Sequence, residues 1–174
     1  YYYIHYLASV NRLARQNSKS KETELDRVET LPGVSVILSA RNEGANLRPY
    51  LQAILEQDYP NFEVIVVNDA SEDDTQQVLD EYIPRYKNLH VTFVPREARV
   101  PSSKKLALTL AVKAANNELL LLTDADCRPE SKYWIQSMVR GFRLGDAQQP
   151  VEVVLGFGAY FKDKTWINSL IQYD

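Results

Sequence analysis

Two aspartates separated by one residue follow a short apolar run, and they are the residues of this sequence best suited to chemistry. Residues 119–122 are all leucine, and Asp124 and Asp126 follow with the small Ala125 between them. A run this short is typical of a strand buried on both faces, as in a parallel sheet. Alternate side chains of an extended chain point the same way, so both carboxylates are expected on one side.

Two carboxylates directed at one point repel each other unless a cation lies between them. A hard divalent ion with oxygen ligands meets this need, so the pair predicts a Mg2+ or Mn2+ site that could carry a diphosphate. An isolated Asp-x-Asp is a weak signal, because aspartate is also common at strand ends as an acceptor for turn backbone. The position after a buried strand favours the metal, since open α/β sheets bind ligands there.

The composition is that of a globular domain. Of the 174 residues, 45% are hydrophobic and 25% are charged, which suits one domain with a sizeable core. A net charge of −3 with scattered basic residues gives no sign of nucleic-acid binding. Cys127 is the only cysteine, which excludes an internal disulfide and favours a reducing compartment. Thiolates are too soft to bind Mg2+, so Cys127 is expected to act as structural filler and not as a metal ligand.

Residues 1–31 are predicted to form an N-terminal helix and linker, and residues 32–174 to form one α/β domain. An aromatic start is followed by basic residues up to Glu22, an order that resembles the interfacial end of a membrane helix with its positive flank. A plain amphipathic helix fits the periodicity equally well. Because the first residue is Tyr1 and no apolar run reaches about 18 residues, we expect a piece of a longer protein whose missing segments contact the membrane.

Strand and helix patterns alternate through the domain. Strands are predicted at 34–39, 62–67, 89–94, 119–122 and 151–157, and helices at 46–57, 71–86, 102–114 and 131–142. Ser71 and Asp74 are expected to form a capping box, and Leu106, Leu110 and Ala114 the inner face of the third helix. The alternation predicts an α/β fold, a mostly parallel sheet with helices on both faces.

Polar residues recur directly after successive predicted strands. They are Arg41, Asn42 and Glu43, then Asn68 and Asp69, then Arg96 and Arg99, and finally the aspartate pair. Each alone is more simply a turn or surface residue. Their recurrence at one sheet edge favours a polar crevice suited to a nucleoside diphosphate. No phosphate-binding glycine loop or hydrolase triad context competes with this interpretation.

Four segments in order resemble the family 2 glycosyltransferases with the GT-A fold. They are VSVILSARNE (34–43), VIVVNDASEDDT (64–75), SKKLAL (103–108) and LLTDAD (121–126). The resemblance implies a Rossmann-like nucleotide-binding half and a nucleotide-sugar donor, usually a UDP-sugar, bound with Mn2+ or Mg2+. It further implies inverting transfer to a saccharide or lipid acceptor, at the cytoplasmic face of a membrane.

The resemblance also implies residue roles. The residues implied to bind the nucleotide are Ser39, Arg41, Glu43, Asp69, Lys104 and Asp124. Asp69 would meet the base, Lys104 would lie near the phosphates or donor sugar, and Asp126 would contact the metal most directly, beside Asp124. The sequence departs from the family pattern at Arg41, where many relatives have an aromatic residue, although a guanidinium can also stack. Asn68 replaces the first acid of the usual Asp-Asp pair, and Ser103 stands where relatives often have glycine.

The family's general base belongs to an acidic motif downstream of the metal motif. Asp163 and Asp174 have a suitable side chain but come too early, so we expect the base beyond Asp174. This chain is therefore expected to be soluble, to bind a nucleotide diphosphate weakly without transferring sugar, and to self-associate through apolar surface near residues 151–155. The alternatives are a sugar nucleotidyltransferase, a Mg2+-binding phosphoacceptor domain, and a non-catalytic nucleotide-binding or interaction domain on the same sheet.

Overall fold

The computed structural model of the chain describes residues 31–95, 103–142, 151–156 and 158. The chain divides into the units Tyr1–Pro32 and Gly33–Asp174, and every helix and strand described lies in the second. The predicted N-terminal helix and the residues Arg96, Arg99, Asp163 and Asp174 fall outside the described ranges. Within those ranges, no helix has the length and apolar character needed to cross a membrane.

Four parallel strands form one sheet in the order β3-β2-β1-β4. The strands are β1 Val34–Ala40, β2 Phe62–Asn68, β3 Leu89–Phe93 and β4 Leu119–Asp124. The helices are α1 Gly44–Leu55, α2 Thr75–Tyr82, α3 Ser103–Ala114 and α4 Trp134–Phe142. The predicted α/β class with a mostly parallel sheet is confirmed.

The two central strands are buried because helices cover both of their faces. The chain proceeds from β1 through β2 to β3 and then returns across the sheet to β4. Right-handed crossovers consequently place α1 and α2 on one face and α3 on the other. On the α3 face, Ile37, Ile65 and Val67 form a buried cluster with Ala107 and Ala111. The small alanines let the helix lie close to the sheet.

The outer strand differs from its prediction. β4 was expected to be buried on both faces, but within the described residues it lies at the sheet edge, and Leu122 is 54% exposed. Residues 151–156, predicted to be a further strand, have no strand conformation. Apolar and β-branched residues favour a strand only where a neighbouring strand offers pairing and packing, and β4 pairs only with β1 among the described strands.

The capping box predicted at the start of α2 does not form. Asp74 is the N-cap residue and makes no side-chain capping bond. The neighbouring Asp73 instead accepts the backbone N–H of Thr75 at 3.0 Å. The Ser71 hydroxyl accepts a hydrogen bond from Asn42 in the loop that follows β1, so it does not cap the helix. The helix ends at Tyr82 rather than near residue 86, before a proline that has no N–H to continue the helical bonding.

The inner face of α3 is shifted from the predicted one. Ala107 and Ala111 are fully buried, with Leu106 and Leu110 partly buried against the same cluster. Ala114, predicted to point inward, is exposed at the end of the helix. The prediction followed the leucines, but Ala107 and Ala111 are the residues of α3 that lie closest to the sheet, because their small side chains let the helix pack near it.

A buried carboxylate connects the strands at the edge where they begin. Glu63 of β2 is in register with Ser35 of β1 and accepts its hydroxyl hydrogen bond at 2.6 Å. The backbone N–H and side-chain amide of Asn116 donate to the same carboxylate at 2.7 and 2.8 Å. Burial acts to raise the pKa of Glu63, but these hydrogen bonds outweigh it, and the pKa lies below its ordinary value. Glu63 therefore stays ionised in the folded protein.

We predict that Glu63→Gln lowers the free energy of unfolding by about 1–3 kcal/mol at neutral pH, because one acceptor oxygen becomes a donor facing other donors. The folded-state pKa is depressed below 4.5, so the carboxylate stabilises the fold above that pH, and this stabilisation is lost as the pH falls. Urea unfolding at several pH values should show a shallower acid dependence in the variant. The exposed Glu118 gives the control, Glu118→Gln. An equal loss of stability in both variants would contradict the assignment.

Candidate functional site

A cleft of about 320 Å³ opens at the carboxyl edge of the sheet. It forms there because the register aligns the strand ends, with Ser39 opposite Asp124 and Ala40 opposite Asn68. The residues that line it are Ser39, Arg41, Glu43, Asp69, Ser103, Lys104, Asp124, Ala125 and Asp126. All the site residues implied by the sequence resemblance are therefore brought together around one space.

The two aspartates of the acidic motif open onto this cleft. Asp124 is the last residue of β4, and Asp126 lies in the turn that follows. Ala125 between them is buried, so the chain turns its small side chain inward and both acids outward. The N–H of Cys127 closes the turn on the carbonyl of Asp124 at 3.1 Å. Both carboxylates thus lie at the wall of the cleft rather than in the core.

Cys127 is exposed, so its expected role as structural filler is wrong. The chain turns away from the sheet directly after β4, which leaves the side chain outside the packed layer. The pKa of the Cys127 thiol is raised, mainly because its sulfur is partly shielded from water and next because of the charge of Asp126. A protonated thiol is a poor ligand for a hard metal ion.

Lys104 bridges the start of α3 to the acidic motif. Its ammonium donates a hydrogen bond to Oδ1 of Asp124 at 2.9 Å. This bond, together with the charges of Asp124 and Asp126, raises the pKa of Lys104, so it stays charged. The two side chains are 63% and 60% exposed, and an ion pair this open to water contributes less than about 1 kcal/mol. Lys104 can therefore change partners at little cost.

Asp69 lies on the other wall of the cleft and is 4% exposed. Its backbone N–H donates to the carbonyl of Ala40 at 2.8 Å, which fixes it beside the end of β1. Arg41 lies with Nη1 3.9 Å from the Asp69 carboxylate and also donates to the hydroxyl of Ser103 at 3.2 Å. Sequence reasoning did not include Ser103 in the site. Its position directly before Lys104, at the start of a helix, was the available signal.

The remaining predicted residues complete the wall near β1. Ser39 lies in the last part of β1, in register with Asp124. Glu43 is the N-cap residue of α1, where its carboxylate accepts the side-chain amide of Asn46 at 2.7 Å. This bond holds the Glu43 side chain at the start of the helix, on the cleft side of the loop.

The loops after β1 and β2 hold each other in place. Asn42 has φ 56° and Ala70 has φ 51°, a left-handed backbone that favours glycine. The N–H of Asn42 donates to the hydroxyl of Ser71 at 3.0 Å, and the N–H of Glu72 donates to the side-chain oxygen of Asn42 at 2.8 Å. These reciprocal bonds fix the backbone that carries the cleft residues of both loops.

Two residues predicted for the crevice serve these turns instead of lining the cleft. The amide of Asn68 donates to Gln76 at 2.9 Å and accepts the N–H of Ser71 at 3.0 Å. Asn42 likewise directs its side-chain oxygen to turn backbone. For both asparagines, the simpler interpretation as acceptors for turn N–H groups is therefore the correct one.

The charge of the cleft is suited to a cation. Four carboxylates and two cations line it. Within the residues the structure describes, no three His, Cys, Asp or Glu side chains converge to hold a metal by themselves. Asp124 and Asp126 nevertheless fit Mg2+ or Mn2+, since such ions often take one or two carboxylates together with substrate phosphates. The ammonium already at Asp124 indicates that this carboxylate is placed to hold a positive charge.

Comparison with known proteins identifies the family. Residues 35–171 match the family model described as glycosyl transferase family 2. The chain belongs to glycosyl transferase family 2. The family inferred from the four sequence segments is thereby confirmed.

Two relatives show how much of a family 2 enzyme this chain represents. Poly-beta-1,6-N-acetyl-D-glucosamine synthase of Staphylococcus epidermidis is 31% identical over 148 residues, which are 83% of this chain and 33% of that protein. Beta-monoglucosyldiacylglycerol synthase of Trichormus variabilis is 31% identical over 130 residues, which are 74% of this chain and 26% of that protein. The chain thus spans between a quarter and a third of the length of these relatives.

Solved structures with bound nucleotide sugars share the fold. Mannosyltransferase PcManGT from Pyrobaculum calidifontis, in complex with GDP-Man and Mn2+, superposes with a TM-score of 0.56 at 28% identity, over 79% of this chain and 40% of that one. S. aureus TarS 1-349 in complex with UDP-GlcNAc gives a TM-score of 0.55 at 27% identity, over 64% of this chain and 31% of that one. These likenesses confirm the fold expected of a family 2 glycosyltransferase.

We predict that Asn42→Ala lowers the free energy of unfolding by about 1–2 kcal/mol, because Glu72 loses its acceptor while the backbone stays left-handed. Asn42→Gly removes the same hydrogen bond but adopts this backbone without strain, so it should lose less stability. Urea unfolding of both variants and the wild type gives the order of their free energies of unfolding. A glycine variant less stable than the alanine variant would contradict the role of the left-handed backbone.

Proposed function

We propose that the cleft of this family 2 chain binds the nucleoside diphosphate of a UDP-sugar. We also propose that the whole enzyme transfers the sugar, with inversion, to a saccharide or lipid acceptor. The observation that carries the donor proposal is the meeting of Asp69, Lys104, Asp124 and Asp126 around one cleft. The UDP-GlcNAc bound by TarS supports a UDP-sugar, and the GDP-Man bound by PcManGT supports nucleotide-sugar donors in general.

Asp69 is proposed to recognise the base. A uracil ring carries one imide N–H, and a carboxylate fixed in a buried position is a strong acceptor for it. Arg41 lies 3.9 Å from that carboxylate and is 63% exposed, so its flat guanidinium offers a surface on which the base can stack. Ser39 and Glu43 complete this part of the wall.

Lys104 and the two aspartates are proposed to receive the diphosphate. A diphosphate adds negative charge to a lining that already has four carboxylates against two cations, so a bridging cation is needed. A bound Mg2+ or Mn2+ would stabilise the charge that grows on the departing diphosphate. Asp126 would be the more direct ligand, because Asp124 is shared with Lys104. The Mn2+ in the PcManGT structure supports a divalent ion.

The acceptor and the membrane setting are proposed from the relatives and from the N-terminal sequence. The names of the two relatives above give a polysaccharide and a glycolipid as their products. The aromatic residues at the start, followed by basic ones, support a location at the cytoplasmic face of a membrane. A saccharide or lipid acceptor is consistent with both.

We predict that the 174-residue chain binds UDP in the presence of Mn2+, and that Asp126→Ala weakens this binding about tenfold or more by removing the main metal ligand. Isothermal titration calorimetry with UDP, with and without Mn2+, measures it. Asp80→Ala, which removes an exposed carboxylate on α2, is the matched control and should bind as the wild type does. Equal heats for the wild type and Asp126→Ala would remove the metal assignment.

We predict that Asp69→Asn reduces UDP affinity about tenfold while reducing CDP affinity less. An asparagine amide can donate to the ring nitrogen of cytosine, whereas the carboxylate can only accept from the imide of uracil. Titration of the two nucleotides, each with Mn2+, gives the ratio of affinities. A parallel loss for UDP and CDP would show that Asp69 supports the fold of the cleft without recognising the base.

A further inference from the structure

Without a ligand, Asp124 is already paired with an internal cation. The Lys104 ammonium lies 2.9 Å from Oδ1 of Asp124, and no other ion pair of Asp124 is found among the described residues. Lys104 is the second residue of α3, and Asp124 ends β4, so both side chains project from regular elements of the fold. The pairing is therefore part of the resting site.

A divalent ion would have to compete with this ammonium. The cleft offers two carboxylates from the acidic motif, and a hard ion that needs about six oxygen ligands uses both. One oxygen of Asp124 is occupied by the charged hydrogen bond from Lys104. Metal alone competes with the ammonium for the charge of Asp124 and is repelled by it at close range, which weakens metal binding.

A diphosphate removes this competition. Its oxygens offer Lys104 a partner with more charge than a single carboxylate, and they also supply ligands for the ion. Because Lys104 and Asp124 are largely exposed, the ammonium can move between the two partners at little cost.

We infer that Lys104 is the resident counter-cation of Asp124, and that it weakens the binding of a divalent ion to this carboxylate until a diphosphate draws the ammonium away. This inference rests on the proposed function. It gives Lys104 two roles of opposite sign, since it opposes metal binding in the empty site and supports diphosphate binding in the loaded one. A lysine that served the phosphates alone would have only the second role.

The test measures the two roles separately in the full 174-residue chain. Binding of Mn2+ alone is followed by the electron paramagnetic resonance signal of the free ion, and binding of UDP at saturating Mn2+ by calorimetry. Lys104→Met should bind Mn2+ alone about two- to fivefold more tightly, as expected for loss of an exposed ion pair. The same variant should bind UDP about tenfold more weakly.

Two further variants keep the test specific. Lys104→Arg retains the charge and should restore the wild-type affinity for Mn2+ alone. Lys113→Met removes an exposed charge from the last turn of the same helix, about 13 Å away by helix rise, and should change neither affinity. Thermal unfolding establishes that each variant is folded.

The outcomes separate this inference from the proposed function. Unchanged or weaker binding of Mn2+ by Lys104→Met, with the wild type still binding UDP, overturns the counter-cation role alone. Failure of the folded wild type to bind UDP overturns the proposed nucleotide site, and the inference with it. Tighter Mn2+ binding in Lys113→Met as well would attribute the effect to overall charge and would also overturn the inference.

Discussion

The position of β1 between two parallel partners is the constraint on which the cleft depends. β1 pairs in parallel with β2 on one side and with β4 on the other. Parallel pairing sends the ends of all three strands to one edge, so loops that are far apart in sequence leave the sheet as neighbours. If β2 or β4 shifted by one residue relative to β1, the side chains of the shifted strand would turn to the opposite faces of the sheet.

Carboxylates at the two ends of the sheet have different surroundings. Where the strands begin, Ser35 and Asn116 donate hydrogen bonds to Glu63, His90 lies 3.5 Å from its carboxylate, and Glu63 stays ionised because these partners replace its water. Where they end, Asp124 and Asp126 remain open to solvent, and the exposed Lys104 ammonium pairs with Asp124. The first arrangement fixes a charge as part of the architecture, whereas the second leaves charge available for a ligand.

Most of the residues that the sequence predicts for the site line one cleft because they lie at the ends of strands or just after them. The aspartate pair, Asp69 and Arg41 come within two residues of apolar runs, and the parallel order brings those positions to one edge whatever the details of packing. Features that depend on contacts between residues distant in sequence could not be predicted from the sequence. The enclosure of Glu63 needs Asn116, which is distant in sequence, and the exposure of Leu122 depends on which strands pair with β4. Local patterns also overstated the role of Ser71, whose hydroxyl is used by Asn42 rather than by its own helix.

The reciprocal bonds between the turns after β1 and β2 have an evolutionary consequence. Each turn supplies a hydrogen-bond acceptor for a backbone N–H of the other. The Ser71 hydroxyl accepts from Asn42, and the side-chain oxygen of Asn42 accepts from Glu72. Inserting or deleting a residue in one turn would break both bonds at once. Diversification among descendants of this chain should consequently proceed by exchange of side chains at fixed loop length, with lengthening confined to segments outside this interlocked pair.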